Sequence, residues 1–416
     1  VPPPDRVSGD TRDAMPNQAA TADPRYTRRP PAHRFSLSWR DPRVRNIFWQ
    51  VVILGIVGLA VWWLAVNTMR NLEVRRIATG FGFLEREAGL PIGEHLIPYS
   101  PADTYARALL VGVLNTLRVA VIGAVLATLL GTIIGIARLS RNWLVAKLAA
   151  VYVEVLRDLP LLLQLLFWYG LMQGLPGPRQ ALKPLEGVFL SNRGIKFPWL
   201  VWEPAHSAAL LALAGGLVGT WAVSRALRAR QNATGQRTPL WPFALALIVG
   251  LPLAVWAAMG APFTLDMPVL RGFNFQGGAT ISPEFAALLL GLVLYTAAFV
   301  AEIVRAGIQA IHHGQWEAAG ALGLKRSDQL RLVILPQALR VIVPPLTSQY
   351  LNITKNSSLA VAIGYQDIVS VANTTINQTG QAIEGIAIIM IVYLTISLSI
   401  SAFMNWYNAK IALKER

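Results

Sequence analysis

The sequence predicts an all-α polytopic membrane protein, and two observations carry that class. Of 416 residues, 54% are hydrophobic and only 14% are charged, a balance too apolar for an ordinary soluble domain. Several apolar runs reach the roughly 20 residues needed to cross a bilayer core. They are continuous, whereas the strands of a membrane β-barrel would alternate. A third observation orients the runs. The net charge is +15, and the basic residues fall mostly in short segments between apolar runs, as the positive-inside rule expects. The excess charge is thereby assigned to membrane orientation and not to nucleic acid. The chain has no cysteine, which excludes disulfides and thiolate metal sites.

Residues 1–46 are rich in Pro, Arg and Asp without periodicity, and a disordered cytoplasmic tail is expected there. Residues 47–108 hold an extra first span (47–66) and a periplasmic loop, with Trp49, Trp62 and Trp63 as interfacial anchors. Two further blocks of membrane helices are expected, 109–172 and 284–408. The first span of the earlier block, 109–136, carries Gly131 and Gly135, a GxxxG spacing that lets another helix come close. A helix at 144–157 enters from the cytoplasmic interface. Asp158 is then expected to cap a second piece starting at Pro160. Between the two blocks, residues 173–283 carry spans at 207–224 and 240–259. The 225–239 loop is basic and expected in the cytoplasm, with 173–206 and 261–283 outside.

The second block opens with Ser282, Pro283 and Glu284: an N-cap, a first-turn proline and an acid at the positive helix end. A proline-broken span covers 335–354, and 383–403 is the last. The 409–416 tail is basic. The total is about eight spans of bilayer-crossing length, with both termini cytoplasmic.

The segment "GQWEAAGALGLKRSDQLRLVILPQALRVIVPP" is too polar to cross a bilayer, yet it is patterned as a helix. Residues 315–324 give Ala318, Ala319, Ala321 and Leu322 at i, i+3, i+4 spacing. Gly323 stands where such a helix would end. A helix this short calls for a groove in another protein.

Glu317-Ala318-Ala319, then Gly323, Val333 and Leu335-Pro336 resemble the coupling motif of ABC-type importer permeases. "VLRDLPLLLQLLFWYGL" and "ITKNSSLAVAIGYQDIV" resemble the polar amino-acid subfamily. The extra first span and the 173–283 segment, an insertion relative to short members, resemble the larger membrane subunit of general L-amino-acid importers. Where members often read Arg-Gly-Thr-Pro, this chain has Arg157-Asp158-Leu159-Pro160.

The resemblance implies a type I importer core in two parts, 109–172 and 284–408, in the bacterial inner membrane and no enzymatic activity in this chain. Glu317, Ala318, Ala319, Gly323, Leu335 and Pro336 would couple it to an ATPase. It implies a second permease subunit in a heterodimer, two ATPase subunits that hold ATP and Mg, a periplasmic amino-acid-binding protein, and no cofactor in this chain. No lysine follows a glycine, so the chain has no P-loop of its own. Polar residues inside spans are costly and mark candidate paths: Gln164, Gln349, Asn352, Lys355, Asn356 and Glu302. Glu302 also lies one turn from Arg305, which favours a local ion pair. Two rival functions remain. An ion-coupled secondary transporter of small polar solutes would show inverted repeats and would not need a docking helix. A membrane enzyme would show clustered His, Asp or Glu.

Overall fold

The computed structural model describes residues 42–74, 79–236 and 238–411. The expected tail 1–46 lies outside the described residues as far as 41, as does 412–416 of the basic tail. The chain divides into two compact units, with the boundary after Arg76. In the first, α1 (Pro42–Val74) is one helix of 33 residues, and Trp49, Trp62 and Trp63 are exposed on it.

The second unit begins with α2 (Tyr105–Ala137), α3 (Trp143–Asp158) and α4 (Leu161–Gln173). Strands β1 (Leu182–Leu185), β2 (Val188–Ser191), β3 (Gly194–Phe197) and β4 (Trp199–Leu200) follow. Helices α5 (Pro204–Thr234), α6 (Trp241–Leu245) and α7 (Leu251–Ala258) come next. They lead to β5 (Leu265–Asp266), β6 (Val269–Arg271), β7 (Asn274–Gln276) and β8 (Ala279–Ile281). The chain closes with α8 (Pro283–Gln309), α9 (His313–Ala321), α10 (Arg326–Asp328), α11 (Leu335–Asn356), α12 (Ile368–Thr379) and α13 (Ala382–Ile411). Among the described residues, 7 helical segments are long and apolar enough to cross a membrane. The remaining expected span is divided between α3 and the shorter apolar α4.

Helices α2 and α8 form the centre. Alanines and glycines on both let them approach: a β-carbon on Gly135 would stand 2.7 Å from the Ala301 carbonyl oxygen. Ser282 caps α8 as expected, its hydroxyl accepting the Phe285 N–H at 3.0 Å. At the far end Arg138, just after α2, is ion-paired with Glu302 on α8. The N-terminus of α12 packs against α2, where the Ile368 N–H donates to the Thr116 hydroxyl at 3.1 Å.

The break near Asp158 is present, but Asp158 does not cap the next helix. It ends α3, and α4 begins after Pro160 with no side-chain cap. The Gln164 amide does the local work, donating to the carbonyls of Leu156 (2.9 Å) and Leu159 (3.1 Å). A buried amide thus satisfies acceptors that the end of α3 leaves without intrahelical partners.

The span expected to be broken at Pro344 and Pro345 is helical through both. Its irregular turns lie on either side. A π-helical segment, Gln329–Ile334, joins α10 to α11, and the Leu335 N–H bonds the Leu330 carbonyl. Pro336 follows in the first turn of α11; it has no N–H, and the wider π turn accommodates that loss. A 3-10 segment, Ser357–Ile363, ends the span.

The 173–283 segment contains a small β structure that the apolar pattern did not announce. Strands pair antiparallel in the order β1-β2-β3-β8. Lys196 faces Thr280 across β3 and β8, which ties the two arms of the segment beside the N-terminus of α8. Two further pairs, β4 with β5 and β6 with β7, complete it.

Candidate coupling helix and polar transport face

Helix α9 spans His313–Ala321, slightly ahead of the expected 315–324, because His312 supplies the cap: its Nδ1 accepts the Gly314 N–H at 3.1 Å. Ala319 is the inward anchor at 2% exposure, while Leu322 is 80% exposed. The Gln337 amide on α11 donates to Gln315 at 3.1 Å, holding α9 to the start of that helix.

Gly323 ends the helix in the left-handed region at φ 72°. Its N–H meets the Gly320 carbonyl at 2.9 Å, and the Leu324 N–H meets the Ala319 carbonyl at 3.3 Å. No atom lies within 4 Å of where a β-carbon would sit on Gly323. The turn itself therefore demands the glycine, and close packing within this chain does not. The result is a short helix held on one side, with Glu317, Ala318 and Leu322 turned to solvent on the other. Leu335 and Pro336 are also exposed, immediately after the π segment.

Four of the six polar candidates share one face of α11. Gln349, Asn352, Lys355 and Asn356 follow the i, i+3, i+6, i+7 spacing, and Asn352 and Lys355 are exposed. None of these side chains has a hydrogen bond or ion pair among the described residues. The adjoining face, with Ile342, Val343, Leu346 and Ile353, is buried. A polar stripe along a membrane helix is costly against lipid, so this face addresses water or another protein.

The other two candidates lie elsewhere. Gln164 braces the α3–α4 break, and Glu302 is held by Arg138 and Arg305, whose Nε lies 3.1 Å from its carboxylate. The proximity of Arg305 was legible at one-turn spacing. Arg138 was not, because it is 164 residues away. The caps made by His312 and the Gln315–Gln337 bridge also left no recognisable sequence pattern.

A short helix held on one side and exposed on the other, beside a polar face on a membrane helix, is an arrangement suited to a membrane subunit that works with other chains. Comparison with known proteins bears this out. The family model for binding-protein-dependent transport system inner membrane components matches residues 239–413. The general L-amino acid transport system permease protein AapQ of Rhizobium johnstonii is 52% identical over 391 residues, covering 93% of this chain and 98% of that protein. The glutamate/glutamine/aspartate/asparagine transport system permease protein BztB of Rhodobacter capsulatus is 44% identical over 424 residues, covering 93% and 99%. The chain belongs to the family of amino-acid ABC transporter permeases. It is a mostly helical, multi-pass inner-membrane permease subunit, and it is not an enzyme.

Proposed function

We propose that this chain forms half of the translocation pathway of an ATP-driven importer of L-amino acids, the other half being a second, different permease subunit. The observation that carries the reading is the α9 surface. A helix held inward by Ala319, with Glu317, Ala318 and Leu322 exposed and a glycine-dependent stop at Gly323, suits insertion into a groove of an ATPase subunit. Leu335 and Pro336 sit where that force would enter α11. Two ATPase subunits would hold ATP and Mg, and a periplasmic binding protein would deliver substrate. Both termini and the 225–239 loop face the cytoplasm in this reading, which the arginine distribution supports.

Gln349, Asn352, Lys355 and Asn356 would line the path at the junction of the two permeases, where their face is covered by neither lipid nor this chain. Gln164 and Glu302 are structural in this account. Co-reconstitution with the ATPase, the second permease and the binding protein tests the reading. ATP-dependent uptake of labelled amino acids is expected. Uptake driven by an ion gradient without the ATPase would favour a secondary transporter.

A further inference from the structure

We propose that the chain carries a recognition site for a zwitterionic amino acid at the end where the β structure meets α8, built jointly by the transport core, the 93–96 loop and the 173–283 segment. The proposal rests on the amino-acid reading above and deepens it. A cavity of about 800 Å³ lies there, within the range typical of small-molecule sites.

Much of its lining is already committed. The Gln366 side chain accepts the Gly93 N–H at 2.7 Å and donates to the Pro91 carbonyl at 2.8 Å. The Asn115 amide donates to the carbonyls of Glu94 and Gln366, both at 2.9 Å. Arg118 is paired with Glu94 at 2.7 Å and lies 4.1 Å over the Phe285 ring. The other Glu94 oxygen accepts the Ser282 N–H at 3.0 Å. Apart from the Asn115 Oδ1, which has no hydrogen-bond partner among the described residues, these groups satisfy one another and brace the wall.

What remains is charge of both signs without a charged partner. Arg193 and Lys196, from the β2–β3 hairpin, line the cavity, and neither side chain has a hydrogen bond or ion pair among the described residues. Glu284, in the first turn of α8, also lines it and accepts one hydrogen bond, from the Tyr169 hydroxyl at 3.2 Å. An α-carboxylate matches the two cations, and an α-ammonium matches the carboxylate, each through charge-assisted hydrogen bonds. Two cations against one carboxylate favour acidic and neutral amino acids over basic ones. The volume leaves room for a hydrated side chain, so backbone charges rather than side-chain shape set the selection.

The chain has no cysteine, so Asn274→Cys places one thiol at the cavity, which Asn274 lines. The assembled transporter, in nanodiscs and without binding protein, is labelled with a membrane-impermeant maleimide. L-Glutamate and L-glutamine are expected to slow labelling several-fold. L-Lysine, propionate and ethylamine at equal concentration should protect less. Adding Arg193→Gln and Lys196→Gln should remove the protection. With Asn274 restored, the same pair should raise the KM for uptake about tenfold or more, the loss expected with a charge-assisted pair. Arg193→Lys with Lys196→Arg should retain both.

Unchanged labelling in an assembly that still imports amino acids would overturn the cavity site and leave the function standing. Protection by ligand-free binding protein but not by amino acids would assign the surface to protein docking and overturn the proposal. Absence of amino-acid uptake by the wild-type assembly would overturn both readings.

Discussion

Gly131 lies so close to Val300 that a β-carbon on the glycine would stand 2.6 Å from the Val300 Cβ and 2.8 Å from the Ala297 carbonyl oxygen. The two central helices therefore meet with no side-chain layer at this point. Gly131→Ala must push backbone, and overpacking of this kind costs about 1–3 kcal/mol. Gly170 has nothing within 4 Å of the same construction, so Gly170→Ala is the matched control. The melting temperature in detergent should fall for Gly131→Ala and hold or rise for Gly170→Ala. Equal melting of the two variants would remove the close approach.

Glu302 separates a structural role from a transport role. Its carboxylate joins Arg138 to Arg305, all three side chains being half-buried or less exposed. Glu302→Gln should lower stability by about 1–2 kcal/mol, between the values for exposed and buried pairs. The KM for uptake should not move. A changed KM with unchanged melting would return Glu302 to the substrate path.

Asp367 gives the protein a pH dependence. It caps α12, accepting the Ser370 N–H at 2.9 Å, and burial pushes its carboxyl up to about 6. The folded state then holds a proton that the unfolded chain has released. Its contribution to stability is greatest below the ordinary carboxylate range and falls as pH rises through about 6, by up to about 3 kcal/mol. Asp367→Asn keeps a capping oxygen and should flatten this segment of the melting-temperature profile between pH 4.5 and pH 7.5 (about the span of the titration). A slope that survives the substitution would place the titrating group elsewhere.

The same absence of cysteine makes topology directly measurable. Single cysteines at Arg230 and at Phe273 should behave oppositely in intact cells. The Phe273→Cys variant should label with an impermeant reagent, and Arg230→Cys should label only after the membrane is opened. Labelling of Arg230→Cys from outside would invert the proposed orientation.

The sequence disclosed the features whose physics is local. Ser282-Pro283-Glu284 is a helix start written in consecutive residues, and it caps α8. Gly131 and Gly135 share a helix face, and their spacing announced a close helix approach, though not that its partners would be Val300 and Ala301. Gly323 follows a short amphipathic run and adopts the left-handed turn. Asp158 misled because an Asp before a Leu-Pro pair looks like a cap, whereas the bonds at that break come from Gln164, buried in the following helix. The prolines at 344 and 345 misled in the same way, since the irregular turns sit beside Pro336 and after Asn356. The β3–β8 pairing and the Arg118–Glu94 ion pair depend on the chain returning from far away. No local pattern records them, and the charged cavity they frame was invisible for that reason.

The central claim is that α9 and its glycine stop form the surface through which a separate ATPase acts. Gly323→Asp tests it most directly. The space around Gly323 is open within this chain, and Asp visits the left-handed region more readily than most side chains, so the strain at φ 72° should cost about 1 kcal/mol and leave insertion and the membrane core intact. In a docked interface it would bury an unpaired carboxylate, costing roughly 3 kcal/mol or more. That weakens docking by about a hundredfold. The measurement is ATP-driven amino-acid uptake in proteoliposomes beside recovery of the ATPase on the tagged permease. Loss of both, from a variant that inserts and melts within a few degrees of wild type (about the cost of one strained turn residue), is the predicted result. Wild-type uptake with full ATPase recovery in Gly323→Asp would contradict the coupling role.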